Sequence, residues 1–406
     1  MGGYTEKNIS QKNNKYFQYI PKWFFYMFGI YIFLSFFETY LTKFIGNSTK
    51  FYMFFLIVIC IYLYRFSIKL NIYNILIMLW FVFKLISILW SNWSNQDISI
   101  HLLSQIGITI FVFIMTGAYY EEKFLSYILR INYWCSFILG ILSIIFQGSY
   151  ISEVYAARKV LTLFGLQNDP NNCAAFLIIG IALAAYSLIY EHKRISLNII
   201  VILVNIYATL LTSSRAGFVT LGVIILFLIL MPDKNRKTQI FNVLLKLFIM
   251  AVVVGLALYL IIKFLPSASL ERLLQFDEYQ AGSGRSDRWG AAIQLFSQRP
   301  ILGWGWGGYL TGYGAVHNTY LTSLCDIGIL GTILLITPSV YAGYKAMKSK
   351  NVLVILILIS GLLPAFFIDA INKRFFWNAL LIAFMLVLYE RNTGKEISIW
   401  NKGEEK

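Results

Sequence analysis

Apolar residues in this chain gather in long blocks separated by short polar stretches. About twelve blocks can be marked, at residues 22–40, 51–64, 72–90, 99–119, 126–147, 171–190, 196–212, 216–232, 243–265, 318–343, 351–368 and 375–389. Most approach the roughly 20 residues a helix needs to cross hydrocarbon; the second, seventh, eighth and twelfth are shorter. Inside a bilayer no water is present to hydrogen-bond the backbone, so each block predicts a helix. The pattern therefore predicts an all-α integral membrane protein of about 12 transmembrane helices, forming one polytopic domain over residues 1–406.

One connection departs from the rhythm of short links. Residues 266–317 lie between the ninth and tenth blocks, far longer than an ordinary connection, and such loops usually carry function or are disordered. This one is not of low complexity. "SLERLLQF" and "SDRWGAAIQLFSQRP" both read as helices. In the second, Ser286 is a natural N-cap and Pro300 follows the stop. Trp289, Ile293 and Phe296 recur at helical spacing, predicting an apolar face laid on the bilayer.

Composition agrees with the blocks. The chain is 58% hydrophobic and only 13% charged, against about 25% charged in soluble domains. Its net charge of +15 raises nucleic-acid binding as a class, but no basic domain or motif accompanies it. The preference of Lys and Arg for cytoplasmic loops explains the excess more simply, so nucleic acid is not an expected partner. With the N-terminus inside, the inner connections hold the larger share of Lys and Arg, both termini are cytoplasmic, and loop 266–317 is extracytoplasmic. Cys60, Cys135, Cys173 and Cys325 are scattered through apolar runs with no CxxC or Cys/His cluster, so neither a disulfide framework nor a metal site is expected. The first block begins at Trp23 without a small-residue cleavage signal and reads as a retained helix.

The candidate chemistry falls on the predicted outer face. Arg215, in "TSSRAGF", sits in a very short turn at hydrocarbon depth; it is either a functional cation or a snorkelling helix end. Arg285 and Arg288, in "GSGRSDRW", are three apart at a helix start. They and the first backbone N–H groups can converge on one anion, or be a solvated helix end. Arg suits a diphosphate better than Lys because its planar fork meets two oxygens. Asp287 lies between them.

"PILGWGWGGYLTGYG" looks like a nucleotide loop, but no strand precedes it and ATP is scarce outside the cell. Trp304, Trp306 and Tyr309 are either interfacial anchors or sugar-stacking platforms. His317, with Asn318 next to it, stands where loop becomes helix in "GAVHNTYLTSLCDIGILGT" and can exchange protons near neutral pH. Gly328 and Gly331 further along permit close helix contact. In "LQNDPNNCAAF", Asp169 and Pro170 mark a helix start, and Asn171 or Asn172 is a candidate substrate-lining residue. Glu38, Lys84 and Asp326 lie within apolar runs, to pair with one another or to face a cavity.

These residues resemble the superfamily of O-antigen ligases and Wzy-type O-antigen or capsular polysaccharide polymerases. "HNTYLTSLCDIGILG" is similar to its His motif, filled by His317, Asn318, Gly328 and Gly331. "SSRAGF" resembles its outer Arg motif, "GRSDRWGAAIQLFSQRPILGWGWGGY" its large-loop signature, and "FGLQNDPNNCAAFL" its DPN element. The resemblance covers roughly residues 160–335; the first 150 match only as hydrophobic spans.

It implies a GT-C-like glycosyltransferase of the bacterial cytoplasmic membrane that uses no metal or other cofactor. The implied donor is an oligosaccharide on undecaprenyl diphosphate. A polymerase moves the growing chain onto a new lipid-linked repeat unit; a ligase moves it onto lipid A–core. Under the resemblance His317 is the general base, and Arg215 and Arg288 are catalytic cations. Arg285, Asn318, Asp287, Trp304, Trp306, Tyr309 and Asn171 bind substrate. Asp287 is the alternative base, or orients Arg288. Membrane lipid, a flippase and a chain-length regulator are candidate partners. The rival classes are a lipid-linked oligosaccharide flippase, which wants a charged central cavity and short loops, and a non-catalytic scaffold.

Overall fold

The computed structural model describes residues 20–46, 48–65, 67–91, 95–149, 158–231, 285–308 and 315–400, with isolated helical positions between 244 and 263. Helices dominate. In chain order they are α1 (Lys22–Ile45), α2 (Ser48–Tyr64), α3 (Ile72–Ile86, extended by a 3-10 turn to Trp90), α4 (Asn95–Thr116) and α5 (Glu122–Ile145). Then come α6 (Pro170–Tyr186, with a π turn to Glu191), α7 (Ile195–Leu211), α8 (Arg215–Leu230) and α9 (Arg285–Gln298). The chain closes with α10 (Thr319–Ser349), α11 (Val352–Leu362) and α12 (Arg374–Thr393). Five of these, namely α1, α3, α5, α6 and α10 with their extensions, are long and apolar enough to cross a membrane; α2, α4, α7, α8 and α11 are shorter apolar helices. The ninth apolar block and "SLERLLQF" lie outside the described residues or nearly so.

The core is built on α6 and α12. Every residue of α6 is buried, as expected of a helix apolar on all sides. Polar contacts join it to its neighbours: Leu177 O accepts from Ser136 Oγ on α5 at 3.2 Å and from Asn205 Nδ2 on α7 at 3.5 Å. A Cβ on Gly180 would meet Ser136 Oγ at 2.1 Å, so glycine lets these backbones approach. On α12, buried Arg374 lies 3.9 Å from Glu38 on α1, which finds Glu38 its opposite charge.

Three features depart from the sequence-based expectation. A small antiparallel sheet, ordered β1 (Gln147–Ser149), β2 (Lys159–Leu163) and β3 (Leu166–Gln167), fills the connection before α6. Phe164 and Gly165 form its two-residue turn with φ of 55° and 79°, the left-handed pair that a tight hairpin demands.

α9 begins at Arg285, so Ser286 lies in its first turn rather than capping it. Its face does not lie on a bilayer along its length either. Trp289, Ala292 and Phe296 pack against Val316, Leu321 and Cys325 at the start of α10, while Ile293 stays exposed.

The third departure is at Gly328. It breaks α10 with φ 62° and ψ −168°, a combination open essentially to glycine alone. The close approach it permits is not to another helix but to the loop after α9. A Cβ there would stand 2.2 Å from the Ile301 carbonyl oxygen. The loop serves the backbone groups that the break frees. Ile329 N–H donates to Pro300 O at 2.8 Å, while Cys325 O and Asp326 O accept from Trp304 and Gly305 N–H, each at 2.8 Å. Non-helical backbone at membrane depth survives only when satisfied in this way.

Candidate functional site

The helices alternate in direction, so the starts of α6, α8, α10 and α12 and the ends of α5, α7 and α11 share one end of the bundle. α9 packs against the first turns of α10, and the glycine loop against the end of α3 and the break in α10.

His317 is held there by its backbone. Its φ is 55°, a left-handed value uncommon outside glycine. This points its N–H at Asp369, whose Oδ2 accepts it at 3.0 Å. The ring Nδ1 lies 3.9 Å from the same oxygen, close enough for charge interaction but longer than a hydrogen bond. Thr322 Oγ1 donates to the other carboxylate oxygen at 2.7 Å. Thr319 clasps the segment from both sides, donating to Ile368 O at 2.6 Å and accepting from Ala370 N–H at 2.7 Å. Asp369 is therefore fixed to the first turn of α10. It was not among the sequence candidates. Its one signal is an acid closing an otherwise apolar run, "LLPAFFID".

α9 brings Arg288 to the same place. Its Nη1 donates to Ala315 O at 3.4 Å, and Trp289 Nε1 donates to Val316 O at 3.1 Å. The Trp289 ring also meets Phe367, with centroids 6.4 Å apart. Three separate segments thus converge: the first turn of α9, residues 315–319 and residues 367–370. Asp287 is exposed on that turn. Arg285 opens the helix, with its side chain outside the described residues. Asn318 is buried as the N-cap of α10, its Oδ1 accepting from Tyr320 and Leu321 N–H.

A second cluster surrounds Arg215, the first residue of α8. Ser214 caps that helix, accepting from Gly217 N–H at 3.2 Å and donating to Asn171 Oδ1 at 2.7 Å. Arg158 Nη2 donates to the same amide oxygen, and its Nε to Thr212 O, both at 2.9 Å. Asn171 is thus a buried brace of the "TSSRAGF" turn, its Oδ1 accepting from both Arg158 and Ser214. Arg158, not among the sequence candidates, is a buried guanidinium at this turn. α8 packs against the 3-10 turn Pro364–Phe366, three residues before Asp369.

The tryptophans of the glycine loop have separate places. Trp304 Nε1 donates to Leu295 O at 2.8 Å, and the Arg299 guanidinium covers its ring at 4.1 Å. Trp306 is buried, with Lys84 Nζ 4.5 Å from its ring centre. A Cβ on Gly305 would come within 2.6 Å of Ser87 O and Ser91 N, so the loop is seated against the end of α3. Tyr309 lies outside the described residues. Among the described residues no group of three or more His, Cys, Asp or Glu could hold a metal ion.

Residues 199–336 match the O-antigen ligase family model. The matched stretch runs from α7 past the break in α10, and so holds Arg215, α9, the glycine loop and His317. It supports the superfamily read from the sequence motifs and a membrane enzyme of the ligase or polymerase type. Asn171, Arg158 and Asp369 stand outside it. No curated protein matches the chain.

Proposed function

We propose that this protein is a polysaccharide polymerase of the outer face of the bacterial cytoplasmic membrane, with a GT-C-like architecture of about twelve spans. It joins oligosaccharide repeat units carried on undecaprenyl diphosphate, by inverting transfer that needs no metal. The observation that carries this reading is the convergence at His317: a carboxylate fixes the histidine while α9 delivers Arg288 to the carbonyl of Ala315, two residues before it.

In this reading His317 takes the proton from the acceptor hydroxyl as that oxygen bonds to the anomeric carbon of the donor, a contribution of about 10²–10⁴ in rate. Asp369 steadies the imidazolium that forms. The bond between the anomeric carbon and the diphosphate oxygen breaks on the opposite face, and its electron pair leaves with the lipid diphosphate. Arg288, Arg285 and Arg215 meet that growing negative charge with fixed cations, which need no reorganisation during the step. Activation resides in the lipid because no nucleotide sugar is available outside the membrane. A flippase supplies such substrates and a chain-length regulator limits the product.

The second reading is a ligase with the same chemistry and lipid A–core as acceptor, favoured by the description of the matching family. One experiment separates them. Purified protein is incubated with lipid-linked repeat units and no other acceptor. Polymerisation gives a ladder of chain lengths that His317→Ala abolishes. Failure to join repeats, with transfer restored by added lipid A–core, makes the enzyme a ligase; a ladder from the His317→Ala variant removes the base.

A further inference from the structure

Beneath the His317–Asp369 pair lies a partly enclosed cavity of about 200 Å3. Its walls come from α3, α4, the glycine loop, α10 and the 369–372 turn. That is the liquid volume of roughly six or seven waters and suits one sugar ring, not a chain of them. The walls combine two indoles, Trp80 and Trp306, with Lys84, His101, Asn372 and Asp369. Aromatic faces with several donors and acceptors are what a neutral pyranose needs, because its C–H face is apolar and its rim is hydroxyl.

The polar groups are held in place. Gln105 Nε2 donates to Asn372 Oδ1, which turns the Asn372 amide nitrogen toward His101 Nδ1 at 3.2 Å. Lys84 stands against the Trp306 ring. Asp326 shares the cavity with it, so the buried charges do not sum to a site for an acidic sugar. The cavity also shares Asp369 with the proton-transfer pair. A ring seated in it therefore presents a rim hydroxyl to Asp369, the carboxylate that holds the base, which suits an acceptor and not a donor whose diphosphate faces the arginines.

We propose that this cavity binds the terminal sugar ring of the acceptor, with His101 and Asn372 reading its hydroxyls. The proposal rests on the transferase reading above. The test uses lipid-linked repeat units as donor and the soluble oligosaccharide released from them as acceptor, so that the two KM values are measured apart. Asn372→Ala and His101→Ala are expected to raise KM for the soluble acceptor about tenfold, equivalent to ~1.4 kcal/mol, with KM for the donor little changed. His101→Gln, which keeps a polar group, should recover part of the loss and stands in if the alanine variants fail to fold. An acceptor KM that stays at the wild-type value overturns the assignment, whether or not kcat falls. Should His317→Ala be inactive in that case, only the cavity assignment is lost; should His317→Ala remain active, the transferase reading fails first.

Discussion

Asp369→Asn isolates the charge of the carboxylate that holds His317. Asparagine is nearly isosteric and keeps an oxygen for the His317 N–H or for Thr322, so the backbone clasp is largely preserved. What disappears is a negative charge 3.9 Å from the imidazole. At that separation two unit charges interact by about 1 kcal/mol in water and about 4 kcal/mol at the effective dielectric of a protein surface site. The side chains are 44% and 34% exposed, so the lower part of that range applies, ~1–2 kcal/mol. Each 1.36 kcal/mol of lost transition-state stabilisation slows the step tenfold, so kcat should fall about 5- to 30-fold. The assay is the rate of chain extension by purified enzyme at saturating lipid-linked repeat unit. A double-mutant cycle gives the sharper result, because residues acting through one another are not additive. On the residual single-turnover rate of a His317→Ala background, Asp369→Asn should cost nothing further. A full additional loss there would show that Asp369 acts independently of the histidine, and wild-type kcat in the single variant would remove it from the chemistry.

Other substitutions probe the supports of the site. Gly328→Ala puts a methyl group 2.2 Å from Ile301 O at a dihedral pair that alone costs about 1–3 kcal/mol outside glycine; detergent-solubilised protein should melt earlier and lose activity, and an unchanged melting curve would contradict the seated loop. Arg288→Lys keeps the charge and loses the planar fork, so transfer should drop roughly tenfold or more, most of it in kcat, with full activity excluding a bidentate clamp. Asn171→Leu strands a guanidinium N–H and a serine hydroxyl, each a buried group whose lost partner costs about 1–3 kcal/mol. Reduced folded yield is expected, with a smaller loss for Asn171→Asp, and equal yields for both would dismiss the brace.

The helices were legible because hydrocarbon allows few alternatives: each described apolar block is a helix in the fold, and Asp169 and Pro170 do start α6. Loop and site were legible only in part. Sequence could place His317 at the start of α10, but not the partner 52 residues later, because an acid after "AFFI" reads equally well as the end of a span. Gly328 looked like a small residue for helix packing because glycine serves both uses; only the arrival of Pro300–Leu302 distinguishes them. The sheet escaped because "KVLTLFGLQ" is short and sits between much stronger helical signals. Arg158 and the bracing role of Asn171 were hidden for a related reason, since hydrogen bonds to a turn 54 and 43 residues away leave no local pattern.

The broken helix and the site are parts of one device. α10 carries His317 at its tip and the break at Gly328 three turns below. α9 rests on the face of α10 between those points, and the loop after α9 enters the break. Shifting α9 relative to α10 would therefore need both the Trp289–Val316 contact above and the Pro300–Ile329 contact below to open. Arg288 is thereby tethered to the histidine segment at both ends of the same covering element. This favours positioning by rigid elements over a flexible loop, the condition under which fixed cations act on a developing charge without first reorganising. Under the proposed mechanism the glycines at 303, 305 and 328 then support the chemistry. They contribute no functional group, yet a Cβ at any of them would meet backbone atoms at 2.6 Å or less, lifting the loop and with it the arginine.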